Sequence, residues 1–160
     1  MSETKRGSKP FLSGSNYAKA EASPGFLFWK AFNTWSRLIR LGLDTLNLTQ
    51  VQYSIMAAIS YLSSAKDEIS QQDVVRQLSM DKMMVSDVVK TLEKKKLLIR
   101  RPHAQDGRSV SLHLTSEAQK LLKQAIPIVE AIDNEFFGRL NAKELRIFTT
   151  NLLQIGTNPN

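Results

Sequence analysis

Between Asp81 and Thr115 the periodicity of the chain changes from that of a helix to that of a strand, and few folds accommodate such a change. Val85, Val88, Val89 and Leu92 follow the i, i+3, i+4, i+7 spacing of a helix with one buried face. At about 100° per residue, Met83, Ser86, Asp87, Lys90, Thr91 and Lys94 then share the outward face. A short run, Leu98–Arg101, follows and is stopped by Pro102, which cannot donate to a ladder. Further on, Val110, Leu112 and Leu114 alternate with Ser109, Ser111 and His113, the period-2 pattern of a half-buried strand. The polar segment from His103 to Arg108 lies between the two runs, with Gly107 where a hairpin needs positive φ.

A polar-faced helix followed by a basic hairpin reads as a winged helix-turn-helix, and the charge distribution agrees. The net charge is +7, and residues 90–108 alone hold seven Lys+Arg against two acids. That segment therefore carries +5 of the excess. A concentrated basic patch attracts polyanions, and duplex nucleic acid is the common polyanion whose groove admits a helix.

The whole chain bounds the answer in other ways. A length of 160 residues suits one domain able to bury a real core. Hydrophobic content of 42% and charged content of 23% are those of a soluble globular protein, and no apolar run is long enough to span a membrane. With no Cys, disulfides, thiolate–metal sites and thiol redox sensing are excluded. The first residues lack the apolar core of a secretory signal, so a cytoplasmic protein is expected. The residues offer no catalytic site, no cofactor and no metal. His103 and His113 lie on or beside the hairpin without a carboxylate pair at ligand spacing, and no phosphate-cradling glycine loop occurs.

In chain order, residues 1–24 are rich in Ser, Gly, Lys and Pro and predict a mobile tail. Phe28, Ala31, Phe32, Trp35, Leu38 and Ile39 then form an aromatic stripe on a first helix, expected to fade near Gly42. Thr49 with Gln52 forms a capping pair that opens a second helix carrying Val51, Ile55, Ala58, Ile59 and Leu62, which ends at Ser63–Ser64. Ile69 suggests a short edge strand. Ser70 caps a short helix with Asp73 in its first turn, and Asp81 caps the outward-facing helix. Thr115 caps a long helix, with Leu121, Leu122, Ala125, Val129, Ile132 and Phe136 apolar and Pro127 expected to bend it. Asn141 with Glu144 opens the last helix, through Leu145, Phe148, Leu152 and Ile155.

This order of helices resembles the MarR family of bacterial transcription regulators. The resemblance is carried by Leu48–Met56, by Leu78–Leu98, and above all by Asp106-Gly107-Arg108 followed by Leu112-His113-Leu114-Thr115, which fits the wing pattern D-x-R-x-x-x-L-x-L-T. It implies a mostly α fold with a small β-hairpin: a winged helix-turn-helix over residues 48–115, and a helical dimerisation region over 25–47 and 116–160. It implies a homodimer on a pseudo-palindromic double-stranded DNA operator, a recognition helix in the major groove, and a wing arginine, here Arg108, in the minor groove. It further implies a small-molecule effector whose binding releases a repressor. Two residues depart from the family pattern. Asp87 stands where an arginine is frequent, and Lys96 stands where a glycine usually ends the recognition helix.

On these grounds Arg108 is the wing residue expected in a narrow A·T-rich minor groove, with Asp106 shaping the turn. Ser86, Lys90 and Thr91 are expected to face base edges or phosphates. Lys94, Lys95, Arg100 and Arg101 are expected to supply phosphate contacts or general field. Met83 has two readings, contact with a thymine methyl or packing on the preceding helix. Asp87 also has two: accepting from a cytosine amino group, or pairing with Lys90 or Lys94 along the helix. For the whole protein the competing readings are a winged-helix module for protein–protein contact and a non-specific DNA binder, and strong salt dependence of duplex binding separates the first of these from a DNA-binding regulator.

Overall fold

A computed structural model of the chain describes residues 13–102 and 110–156. Six helices and one two-stranded hairpin follow one another: α1 (Pro24–Asp44), α2 (Gln50–Leu62), α3 (Gln71–Leu78), α4 (Lys82–Lys94), β1 (Leu98–Pro102), β2 (Val110–Leu114), α5 (Ser116–Phe137) and α6 (Ala142–Gly156). The backbone separates into two compact units, residues 1–38 and 39–160, with the division falling inside α1.

In the first unit, Ala20–Ala22 form a single 3-10 turn ahead of α1, where a mobile tail is expected; residues 1–12 lie outside the described part. The expected end of that tail at residue 24 coincides with the first residue of α1, a proline, whose missing N–H costs nothing in a first turn. Phe32 and Trp35 stack at 6.0 Å, yet Phe26, Phe28, Trp29 and Phe32 all remain exposed.

In the second unit the helix starts are set by local chemistry. Thr49 and Gln52 form a reciprocal capping box, as do Ser70 and Asp73. Asp81 accepts from the backbone N–H of Met83 and Met84, and Thr115 from that of Ala118. At α6, Asn141 Oδ1 accepts from the N–H of Lys143 and Glu144 while Glu144 reaches back to the Asn141 N–H at 2.9 Å. Asp73 is the most heavily bonded of these acids. Burial alone would raise its carboxyl, but hydrogen bonds from Lys66 and from the Ser70 hydroxyl and backbone, with the Lys66 charge, hold it well below the usual carboxylate range.

The helix ends use an uncommon device. Asn47, Ser79 and Lys96 all adopt left-handed backbone, with φ of 57°, 50° and 59°. At Lys96 the pattern is a complete Schellman closure, with Leu97 N–H bonded to Leu92 O and Lys96 N–H to Glu93 O. Lys96 thus performs the turn a glycine would make more cheaply. Its carbonyl is held by the Thr115 hydroxyl at 3.0 Å.

The core of this unit comprises Ile55, Met56 and Ile59 of α2, Val74 of α3, Val85, Val89 and Leu92 of α4, Leu98, Leu112, and Ala118, Leu122 and Ala125 of α5. α2 is central, packing on α3, α4, α5 and β2. Three expectations change here. α1 does not fade at Gly42 but runs to Asp44; a Cβ at Gly42 would meet Ile132 and Ile128 of α5 at 2.7 and 2.8 Å, so the glycine permits close helix approach. β1 extends through Pro102, which pairs with Val110. The alternation in β2 is also overturned at two places, since Val110 is exposed and Ser111 is fully buried. The cause lies elsewhere in the chain. β2 has β1 on one side and, on the other, Ile69 and Ser70, through an isolated bridge Ser70↔Ser111 and a 2.7 Å bond from Leu112 N–H to Ile69 O.

Candidate nucleic-acid interface

The chain supplies α4 with a capped start, a core-facing stripe and a closed end, so its outward face is presented on a rigid rod. Met83, Asp87, Lys90, Thr91 and Lys94 are exposed on it, and Ser86 is half-buried at its margin. Met83 is 68% exposed and so does not pack on the preceding helix. Its neighbour Met84, 49% exposed, was not singled out in the sequence, because a second methionine beside the apolar stripe reads as core. Two large apolar side chains thus stand in solvent on the first turn of the helix.

The charged residues sort into free and engaged. Lys90 Nζ lies 3.0 Å from Asp87 Oδ1, so in the free protein Asp87 takes the along-helix pairing. Thr91 donates its hydroxyl to the Asp87 carbonyl at 3.0 Å. Lys94 and Arg101 are exposed.

Lys95 is engaged within the chain: its ammonium donates to Asn47 O at 2.8 Å and Gln52 Oε1 at 3.0 Å, tying the end of α4 to the α1–α2 junction. Arg100 is engaged as well. Its Nε lies 2.8 Å from Glu93 Oε2, a half-buried ion pair between β1 and α4.

Residues 103–109, and with them Arg108, Asp106 and Gly107, lie outside the described residues. The strands that carry this segment are described, with register Leu98↔Leu114, Arg100↔Leu112 and Pro102↔Val110. His113 is half-buried on β2. Its Nε2 lies 2.8 Å from the Ser111 hydroxyl, and it lines an open recess of about 390 Å³ with Ser60, Ser63, Ser64, Leu114 and Gln119.

Among the described residues no group of three His, Cys, Asp or Glu could hold a metal ion, and no helix is long and apolar enough to cross a membrane. What is assembled is a helix with an exposed polar and thioether face beside a two-stranded hairpin, set off by an apolar core. Such a surface can enter a groove and bind a polyanion.

Known proteins share this arrangement. The sequence model of the MarR family matches residues 48–110. The transcriptional regulator YdcH of Bacillus subtilis strain 168, of the helix-turn-helix type, is 36% identical over 130 residues, covering 81% of this chain and 88% of that protein. A solved structure of Bordetella bronchiseptica BpsR, described as showing regulation of its DNA binding by 6-hydroxynicotinic acid, superposes with a TM-score of 0.78 at 25% identity, over 91% of this chain and all of that one. A mutant MarR from E. coli, complexed with operator DNA, shares the fold at a TM-score of 0.76 and 23% identity, over 84% of this chain and 95% of that one.

Proposed function

The chain belongs to the MarR family of transcriptional regulators, and from that premise we propose that two copies bind a pseudo-palindromic duplex, with α4 in the major groove and the wing in the minor groove. The observation that carries the reading is the outward face of α4. Met83, Asp87, Lys90, Thr91 and Lys94 stand exposed on a helix whose opposite face is sealed by Val85, Val89 and Leu92. Lys90, Thr91, Lys94 and Arg101 meet phosphate or base edges, Met83 lies against a thymine methyl, and Ser86 reaches the groove margin. Arg108 is the wing contact. Asp87 exchanges its Lys90 partner for a cytosine amino group, which makes it a specificity residue. Arg100, engaged by Glu93, contributes only to the general field.

The homodimer is part of the proposal. α6 has no buried residue, and Ile147, Phe148, Leu153 and Ile155 stand exposed on it, as Phe28, Trp29 and Phe32 do on α1. Apolar surface of that extent is normally covered. We read the protein as a cytoplasmic repressor released by a small aromatic or anionic ligand, by likeness to BpsR.

The test is a titration of purified protein against DNA from beside its own gene, with salt and competitor varied. With roughly 6–10 phosphate contacts per dimer, affinity should fall about 10³–10⁵-fold between 50 and 200 mM salt. Arg108→Ala should lose about 1–3 kcal/mol of binding, most at flanking A·T positions. Equal binding to competitor and operator at every salt concentration would reduce the protein to a non-specific binder. Phenolic and carboxylate compounds should raise the unfolding midpoint and release DNA; if none does either, the ligand-release part fails.

A further inference from the structure

Glu93 is in the wrong place by two general rules. It lies in the last turn of α4, where the helix dipole disfavours an acid, and in the most basic segment of a chain that meets a polyanion. What offsets both is Arg100 of β1, whose Nε lies 2.8 Å from Glu93 Oε2 with each side chain 33% exposed. Nε and Nη2 of the Arg100 guanidinium are buried, and neither forms a directed hydrogen bond among the described residues, so charge and proximity to Glu93 fix it. Arg100 pairs in register with Leu112, which is buried, while its neighbour Arg101 is exposed. Of two consecutive arginines, one is thus paired within the molecule and half-buried. The ion pair spans the turn Lys95–Leu97, with its left-handed Lys96, that links α4 to β1.

We infer that Glu93 is a positioning residue for DNA binding: by holding Arg100 it fixes the angle of the β1–β2 hairpin to α4, and so the place at which the wing meets the duplex. The inference rests on the proposed groove contacts, and the sign of one substitution separates it from simple electrostatics. Glu93→Gln removes a negative charge from the basic patch. If Glu93 acts only through its field, the variant binds operator more tightly. If it positions the wing, the variant binds more weakly, losing some part of the roughly 5–150-fold that the wing arginine itself contributes.

The experiment measures operator affinity of the full-length protein as wild type, Glu93→Gln, Arg108→Ala and the double variant, with unfolding midpoints recorded alongside. Weaker binding by Glu93→Gln alone, and no further loss when it is added to Arg108→Ala, is the expected result, since a wing that makes no contact cannot be misplaced. A stability effect without a positioning role would lower the midpoint and leave the operator affinity of the folded protein unchanged. The exchange Glu93→Arg with Arg100→Glu, which conserves net charge, should recover most of the affinity. Tighter or unchanged binding by Glu93→Gln overturns the inference, as does an equal loss in both backgrounds. If Arg108→Ala binds normally, the wing contact itself is wrong and the inference falls with it. Normal loss in Arg108→Ala with a tighter Glu93→Gln removes the inference alone.

Discussion

Helices α4 and α6 are close in length, 13 and 15 residues, and each carries an apolar stripe at helical spacing. α4 buries Val85, Val89 and Leu92 completely, while α6 buries nothing. The difference is not in composition, since α6 holds Leu145, Ile147, Phe148, Leu152, Leu153 and Ile155. It lies in what the chain supplies to each. α4 meets α2, α3 and β1 of its own molecule, whereas the stripe of α6 exceeds what its neighbours cover. An amphipathic pattern therefore declares that a face will be buried without saying by whom. The outward-facing helix α4 is finished by its own chain, and under the proposed homodimer α6 is finished by a second copy.

The largest effect that could break this contrast comes from equivalent truncations in the two helices. Leu92→Ala should cost about 2–5 kcal/mol at any protein concentration, because it opens a cavity in a closed core. Leu153→Ala should change stability in a way that depends on protein concentration, as expected where folding is linked to association. Denaturant titrations at two concentrations tenfold apart distinguish these, and the same dependence for both variants would abolish the comparison.

Next in size is Gly42→Val. The added atoms must displace Ile132 and Ile128, costing about 1–3 kcal/mol through overpacking. Since α1 and α5 meet at this point inside one unit, the loss should appear in thermal unfolding at every concentration.

Acid sharpens the contrast from the closed side. The Asp73 carboxyl is held below its unfolded value of about 3.9, so its contribution is fully present above that pH and lost as pH falls toward the folded value. Stability followed from pH 6 downward should decline, and Asp73→Asn should make that decline shallower. An identical slope would mean the network around Asp73 is silent.

The smallest effect is a gain. Lys96→Gly relieves a left-handed residue at the end of α4 and should stabilise by about 0.5–1 kcal/mol after the greater unfolded-state freedom of glycine is counted. Thermal unfolding measures it, and the concentration dependence should not move.

What was legible in the sequence divides along the same line as local and distant chemistry. The starts at Thr49, Ser70, Asp81, Thr115 and Asn141 were all readable, because a cap and the backbone it bonds lie within three residues. The core face of α4 was readable from its period, and Lys96 from the missing glycine. Ser111 was not, because its burial is imposed by Ile69 and Ser70, some forty residues earlier. Nor was the fate of the cations. Lys95 and Arg100 count as charge in a linear segment, and only the fold shows that Asn47, Gln52 and Glu93 claim them. Gly42 looked like a helix end because a close approach between helices leaves no trace in one strand of text.

The bond from Leu112 N–H to the Ile69 carbonyl has a kinetic consequence. An isolated two-stranded hairpin opens and recloses on its own, and its amides would lose their protons to solvent within short waiting times. Here β2 is clamped at Leu112 by the segment that immediately precedes α3, so the root of the wing cannot let go without disturbing the start of that helix. Leu112 should therefore exchange its amide proton on the slow clock of the α2–α4 core, hours behind the exposed Val110 two places away. The strands of the hairpin and the start of α3 should therefore open in one event, not separately.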